Sequence, residues 1–120
     1  MAKKILIVED EDNVRLLYEE TLKDEGYDVT AVSYGKDALD MLSKEDFDLV
    51  TLDIEMPDMN GLEVAGKIRE MGKNVRIVFV TAYSNYRDDL SSWAADDYIV
   101  KSSDLNIIKE QIKNLLSERG

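Results

Sequence analysis

The sequence predicts an α/β domain built on a parallel sheet, and three observations carry that expectation. Five short apolar runs, most of them rich in β-branched residues, recur along the chain. The segments between them place apolar residues at helical spacing, and glycines or a proline punctuate the changes of pattern. Strand alternating with helix means βαβ units, hence parallel strands joined by right-handed crossovers.

The first run is KILIV, Lys4–Val8, followed by a helical stripe of Val14, Leu17, Tyr18 and Leu22 that Gly26 stops. The second run is DVTAV, Asp28–Val32, and the helix after it carries Ala38, Leu39 and Leu42. The third is LVTLD, Leu49–Asp53, which ends on a carboxylate. Pro57 then marks a turn and Asn60-Gly61 closes the loop. Leu62, Ala65 and Ile68 form the third stripe, stopped by Gly72, and RIVFV, Arg76–Val80, is the fourth run. Runs one, three and four are almost continuously apolar, as strands covered on both faces are. A fourth helical segment, Asn85–Ala95, shows only Leu90, Trp93 and Ala94 as a narrow stripe. It reads equally as a marginal surface helix or as an element easily moved. YIV, Tyr98–Val100, is the last strand, and Leu105, Ile108, Ile112, Leu115 and Leu116 mark the last helix. Asp104 is expected in the first turn of that helix, where a negative charge suits the dipole.

Composition narrows the function classes. At 120 residues the chain is of single-domain size, and one domain over 1–120 is expected, with no effector domain attached. Neither cysteine nor histidine is present, which removes disulfides, ordinary zinc sites and histidine-dependent triads. A net charge of −11 repels nucleic acid and anionic membrane surfaces, while it suits a hard divalent cation or a basic partner. Most of these charges simply solvate the surface. No apolar run has the length of a membrane span, and MAKKILIVED lacks a signal-peptide pattern, so a cytoplasmic protein is expected.

In an open α/β sheet ligands bind beyond the carboxyl ends of the strands. The first strand delivers Glu9 and Asp10 there, then Glu11 and Asp12. The third delivers Asp53 with Glu55 two residues on, the fourth Thr81-Ala82, and the fifth Lys101, Ser102 and Ser103. Singly, each has an ordinary explanation as a turn, cap or solvated residue. Jointly they put a carboxylate pair, a lone carboxylate, a hydroxyl and an ammonium at one edge. Converging carboxylates call for a cation, and Mg²⁺ fits oxygen ligands of this kind. A carboxylate is also a competent nucleophile for phosphoryl transfer, given neutralising metal, lysine and hydroxyl groups. Competing motifs fail. Counting an EF-hand from Asp53 puts Pro57 and Asp58 inside the loop and Val64 at the twelfth place, and no P-loop or G-x-G-x-x-G occurs.

Through ILIVEDEDNVR, DLVTLDIEMPDMNGLEV, IVFVTAY and ADDYIVK, essentially the whole chain resembles the receiver domain of two-component response regulators. That resemblance implies a flavodoxin-like doubly wound (βα)5 fold with strand order 2-1-3-4-5. It implies that Asp53 accepts a phosphoryl group from a histidine kinase or histidine phosphotransfer protein. Asp10 and Asp53 would be Mg²⁺ ligands, with the Glu55 backbone carbonyl, and Glu9 would act mainly through water. Thr81 would hydrogen-bond the phosphoryl group, Lys101 would ion-pair with it, and small Ala82 would leave room for the donor. Tyr98 would be the switch aromatic that turns inward with Thr81. The surface of the fourth helix, fifth strand and fifth helix would then change for a downstream protein target. On this reading the chain is a regulatory switch rather than an enzyme, with no direct nucleic-acid or membrane contact. Glu55 and Tyr83 occupy the positions that tune acyl-phosphate lifetime in the family.

Two departures stand out. Ser102 replaces the usual proline after the lysine; a non-proline cis bond costs about 2.5–4 kcal/mol, so a rebuilt loop and a less firmly held Lys101 are expected. Glu9 replaces the commoner aspartate, with a longer arm toward the metal shell. Two rival readings are a receiver-fold interaction module that ignores phosphate and a small phosphatase with an Asp nucleophile. Retention of Asp53, Thr81 and Lys101 counts against the first. Against the second stand Glu55, where such enzymes usually carry a second aspartate, and the lack of a cap domain.

Overall fold

The computed structural model describes residues 2–82 and 96–118. The fourth helical segment expected over Asn85–Ala95, and Tyr83, lie outside the described residues. The strands are β1 (Lys4–Val8), β2 (Asp28–Val32), β3 (Leu49–Asp53), β4 (Arg76–Thr81) and β5 (Asp97–Val100). The helices among the described residues are α1 (Asp12–Asp24), α2 (Gly35–Lys44), α3 (Gly61–Glu70) and a C-terminal helix, Leu105–Glu118. All strand pairs are parallel, in the order β2-β1-β3-β4-β5, as the resemblance implies.

Side chains alternate across a strand, so each central strand feeds two cores. Leu6, Val8, Val50, Leu52, Ile77 and Phe79 pack with Ala38 and Leu42 of α2 and Val64, Ala65 and Ile68 of α3. Ile5, Ile7, Leu49, Val78, Val80 and Ile99 pack with Tyr18 and Leu22 of α1 and Ile108 and Ile112 of the C-terminal helix. Burial of each large aliphatic side chain stabilises by about 1.5–3 kcal/mol, which is why these faces dominate the fold. β1, β3 and β4 are buried almost throughout, whereas the edge strand β2 is half-exposed.

Helix ends follow from the punctuation. Gly26 and Gly72 take left-handed φ angles of 94° and 76° just past α1 and α3. Asn60 caps α3 by accepting from the Glu63 N–H at 2.9 Å, and the Glu63 carboxylate accepts in return from the Asn60 N–H. Two expectations are corrected. Leu17 is 45% exposed, because Val14, Tyr18 and Leu22 are one turn apart while Leu17 points off their line. Asp104 precedes the C-terminal helix rather than joining its first turn, and its Oδ1 accepts from the Asn106 N–H at 3.0 Å. It acts as a cap, which needs a residue outside the helix.

Candidate functional site

Register and alternation place the site. Val8 pairs with Leu52, so the next residues, Glu9 and Asp53, come side by side. Glu9 continues the alternation of Ile7, Asp53 that of Thr51, and Lys101 that of Ile99. All three side chains therefore leave the sheet on the α1 face at its carboxyl edge. Thr81 continues the opposite alternation, that of Phe79, and is buried at the same edge.

Glu9 is 2% exposed and Asp53 7% exposed, so neither charge is met by bulk water. Lys101 Nζ donates to both, at 2.9 Å from Glu9 Oε1 and 3.2 Å from Asp53 Oδ2. The Glu11 N–H donates to Glu9 Oε2 at 3.2 Å, and the Glu55 N–H to Asp53 Oδ1 at 3.3 Å. Burial pushes the Glu9 carboxyl up to about 7; the Lys101 hydrogen bond opposes this and the Asp53 charge adds to it. At Lys101 burial pulls the ammonium down, but the Glu9 hydrogen bond and the two carboxylates outweigh it and the net direction is up.

Glu9, Asp10 and Asp53 each offer a carboxylate oxygen within 4.8 Å of the others. Three carboxylates against one ammonium leave an excess of two negative charges when all are ionised. The donors are all oxygen, from a chain without histidine or cysteine. Such a set fits a hard divalent cation, and these are the residues that would hold Mg²⁺.

The other expected residues fall as follows. The Glu55 side chain is exposed, and its backbone stays beside the site through the N–H bond to Asp53 Oδ1. Ala82 is exposed next to buried Thr81. Tyr98 is 9% exposed and packs in the α2/α3 core. The Lys101–Ser102 peptide is trans, and Ser102 Oγ accepts from the Asp104 N–H at 3.0 Å. Lys101 is nevertheless firmly held, against expectation. Its N–H donates to the Thr81 carbonyl at 2.6 Å, continuing the β4–β5 pairing, and its ammonium is bound twice. Sequence reasoning missed Arg15, which donates from Nη1 to the Glu9 carbonyl at 3.1 Å and from Nη2 to the Asp12 carboxylate. The three-residue spacing of Asp12 and Arg15 was the available signal. It also missed that Tyr18 is buried close enough to feel the Lys101, Glu9 and Asp53 charges.

Fold and pocket together define a doubly wound α/β domain whose carboxyl edge is built to take a cation. The chain belongs to the response regulator receiver domain family, whose model matches residues 5–113. Sporulation initiation phosphotransferase F of Bacillus subtilis is 33% identical over 97% of this chain and 95% of its own length. Transcriptional regulatory protein PcoR of Escherichia coli is 34% identical over 95% of this chain, which spans only 51% of PcoR. Among solved structures, response regulator protein TrrA of Thermotoga maritima in complex with Mg²⁺-BeF is 51% identical. It aligns with a TM-score of 0.88 over 94% of this chain and 98% of TrrA. TrrA in complex with histidine kinase ThkA aligns with a TM-score of 0.86, again at 51% identity, over 95% of this chain and 98% of the matched chain. Among the described residues no helix is long and apolar enough to cross a membrane.

Proposed function

We propose that Asp53 is the phosphoacceptor of this receiver domain and that residues 1–120 act as one phosphorylation-dependent switch. The observation that carries the reading is the position of Asp53: buried at the end of β3, 3.2 Å from Lys101 Nζ, and within metal-sharing distance of Glu9 and Asp10. A bound Mg²⁺ supplies charge neutralisation for the incoming phosphoryl oxygens. Asp10, Asp53 and the Glu55 backbone carbonyl would hold it, with Glu9 acting mainly through water. The Asp53 carboxylate attacks phosphorus, the bond to the donor histidine nitrogen breaks, and Lys101 and Thr81 receive the new oxygens. Exposed Ala82 leaves the approach open.

The donor is a histidine kinase or histidine phosphotransfer protein. The ThkA–TrrA complex and the likeness to a sporulation phosphotransferase support that donor class. Tyr98 lies on the Thr81 face of the sheet, which suits it to follow that hydroxyl and to alter the surface of the fourth helix, fifth strand and fifth helix for a protein target. The chain assists its own phosphorylation and hydrolysis but turns over no separate substrate. It acts in the cytoplasm and touches neither nucleic acid nor membrane.

Intact-mass spectrometry after incubation with acetyl phosphate tests this. A single phosphoryl adduct that needs both Mg²⁺ and Asp53, and is lost in Asp53→Asn, is the expected result. An unlabelled wild type, beside a control receiver that labels, would instead favour a phosphate-independent interaction module.

A further inference from the structure

We propose that Arg15 is a positioning residue for the cation site, aimed by Asp12 and holding in place the peptide that carries Asp10. The inference rests on the reading of the site as a metal-dependent phosphoacceptor. Both neighbours of β1 pair with it as far as Val8, so Glu9 and Asp10 lie past the last rung. The Glu9 N–H still donates to the Val32 carbonyl at 3.1 Å. Its carbonyl, the oxygen of the peptide joining Glu9 to Asp10, accepts from Arg15 Nη1 at 3.1 Å. Glu9 is thereby pinned on one side by β2 and on the other by α1. Because the peptide is planar, fixing its oxygen also fixes where the Asp10 Cα stands.

Arg15 is itself tethered. Its Nη2 donates to the Asp12 carboxylate, one helical turn earlier. A guanidinium is a rigid fork, so an acceptor on one arm aims the other. The Asp12 side chain is 86% exposed and that of Arg15 22% exposed. Such a pair adds little stability by itself, and what it contributes here is direction.

Charge and positioning predict opposite effects of removing Arg15. A guanidinium beside Glu9, Asp10 and Asp53 repels a divalent cation, so its field alone weakens cation binding. Losing that field would strengthen the site. Losing the bond to the Glu9 carbonyl would weaken it, because the freed peptide must be ordered again each time the cation binds. The sign of the change separates the two.

The test is a Mg²⁺ titration of the full chain, labelled with ¹⁵N and followed by its amide shifts, with no phosphoryl donor present. The same spectra show that each variant is folded. Arg15→Met and Arg15→Gln should each weaken Mg²⁺ binding about tenfold, as loss of a group behind the metal ligands does. Half-maximal labelling by acetyl phosphate should then need correspondingly more Mg²⁺. Asp12→Asn should weaken binding about threefold in the wild type, within the range of coupled neighbours, and should have no such effect in the Arg15→Met background. Unchanged or tighter binding in the Arg15 variants overturns the positioning role and leaves the phosphoacceptor reading intact. Equal losses from Asp12→Asn in both backgrounds overturn its aiming of Arg15. A wild type that takes up no Mg²⁺ overturns both readings, while uptake without any labelling by acetyl phosphate overturns the phosphoacceptor reading alone.

Discussion

Gly61 is pressed against the main chain of Asp53: a Cβ built on it would stand 2.4 Å from the Asp53 carbonyl oxygen. The Gly61 N–H also donates to the Ile54 carbonyl at 2.9 Å, so the start of α3 is seated directly on the end of β3. The glycine is required for close approach rather than for a left-handed turn. It lets a capped helix begin against the residue proposed to be phosphorylated.

Gly61→Ala should therefore lower stability by about 1–3 kcal/mol, the usual range for overpacking, and displace Asp53 as well. Chemical denaturation reads the first effect and the rate of labelling by acetyl phosphate the second. A variant as stable as wild type that labels at the same rate would show that the contact is easily relieved.

Asp96 forms a second junction, at the opposite end of the sheet. Its Oδ2 accepts from the Ile77 N–H at 2.8 Å and from Arg69 Nη2 at 3.1 Å, and its Oδ1 from Arg76 Nη1 at 3.4 Å. Asp96→Ala should cost about 1–3 kcal/mol, mainly from the lost backbone bond, since the partly exposed ion pairs are screened. Most of the loss should survive in 1 M salt. If the destabilisation vanishes there, the ion pairs rather than the Ile77 bond carry the junction.

Leu17 and Leu22 look alike in the sequence but differ in the fold, one 45% and the other 0% exposed. Leu17→Gln should stay within about 0.5 kcal/mol of wild type, whereas Leu22→Ala should lose about 2–5 kcal/mol. Urea midpoints of the two variants decide the matter. A large loss at Leu17 would contradict the exposed position.

Glu55 is exposed just past Asp53, and Tyr83 follows the Thr81 strand end. Replacing either is expected to change the lifetime of the acyl phosphate more than the rate of its formation. Loss of adduct after removal of acetyl phosphate, followed by mass, measures this. Identical lifetimes in wild type and both variants would end the idea.

Much of the site was legible in the sequence because strand alternation is a local rule. Once KILIV and LVTLD are read as strands, Glu9 and Asp53 must emerge at carboxyl ends, and Lys101 likewise from YIV. What could not be read was contact. Glu9 meeting Lys101, Arg15 gripping the Glu9 carbonyl and Tyr18 lying beneath the charges all join residues brought together by packing rather than by spacing.

The sequence by itself therefore determined the order of elements, the two-sided burial of the central strands and the residue types gathered at one edge. Periodicity, punctuation and composition act within a few residues of each position, and that range suffices for these features. Only the tertiary structure decided that Lys101 stays anchored without the usual proline, that Asp104 caps rather than joins its helix, and that Gly61 is needed by Asp53. Each depends on distances of a few ångströms between segments far apart in the chain, where hydrogen-bond reach and van der Waals contact set the outcome.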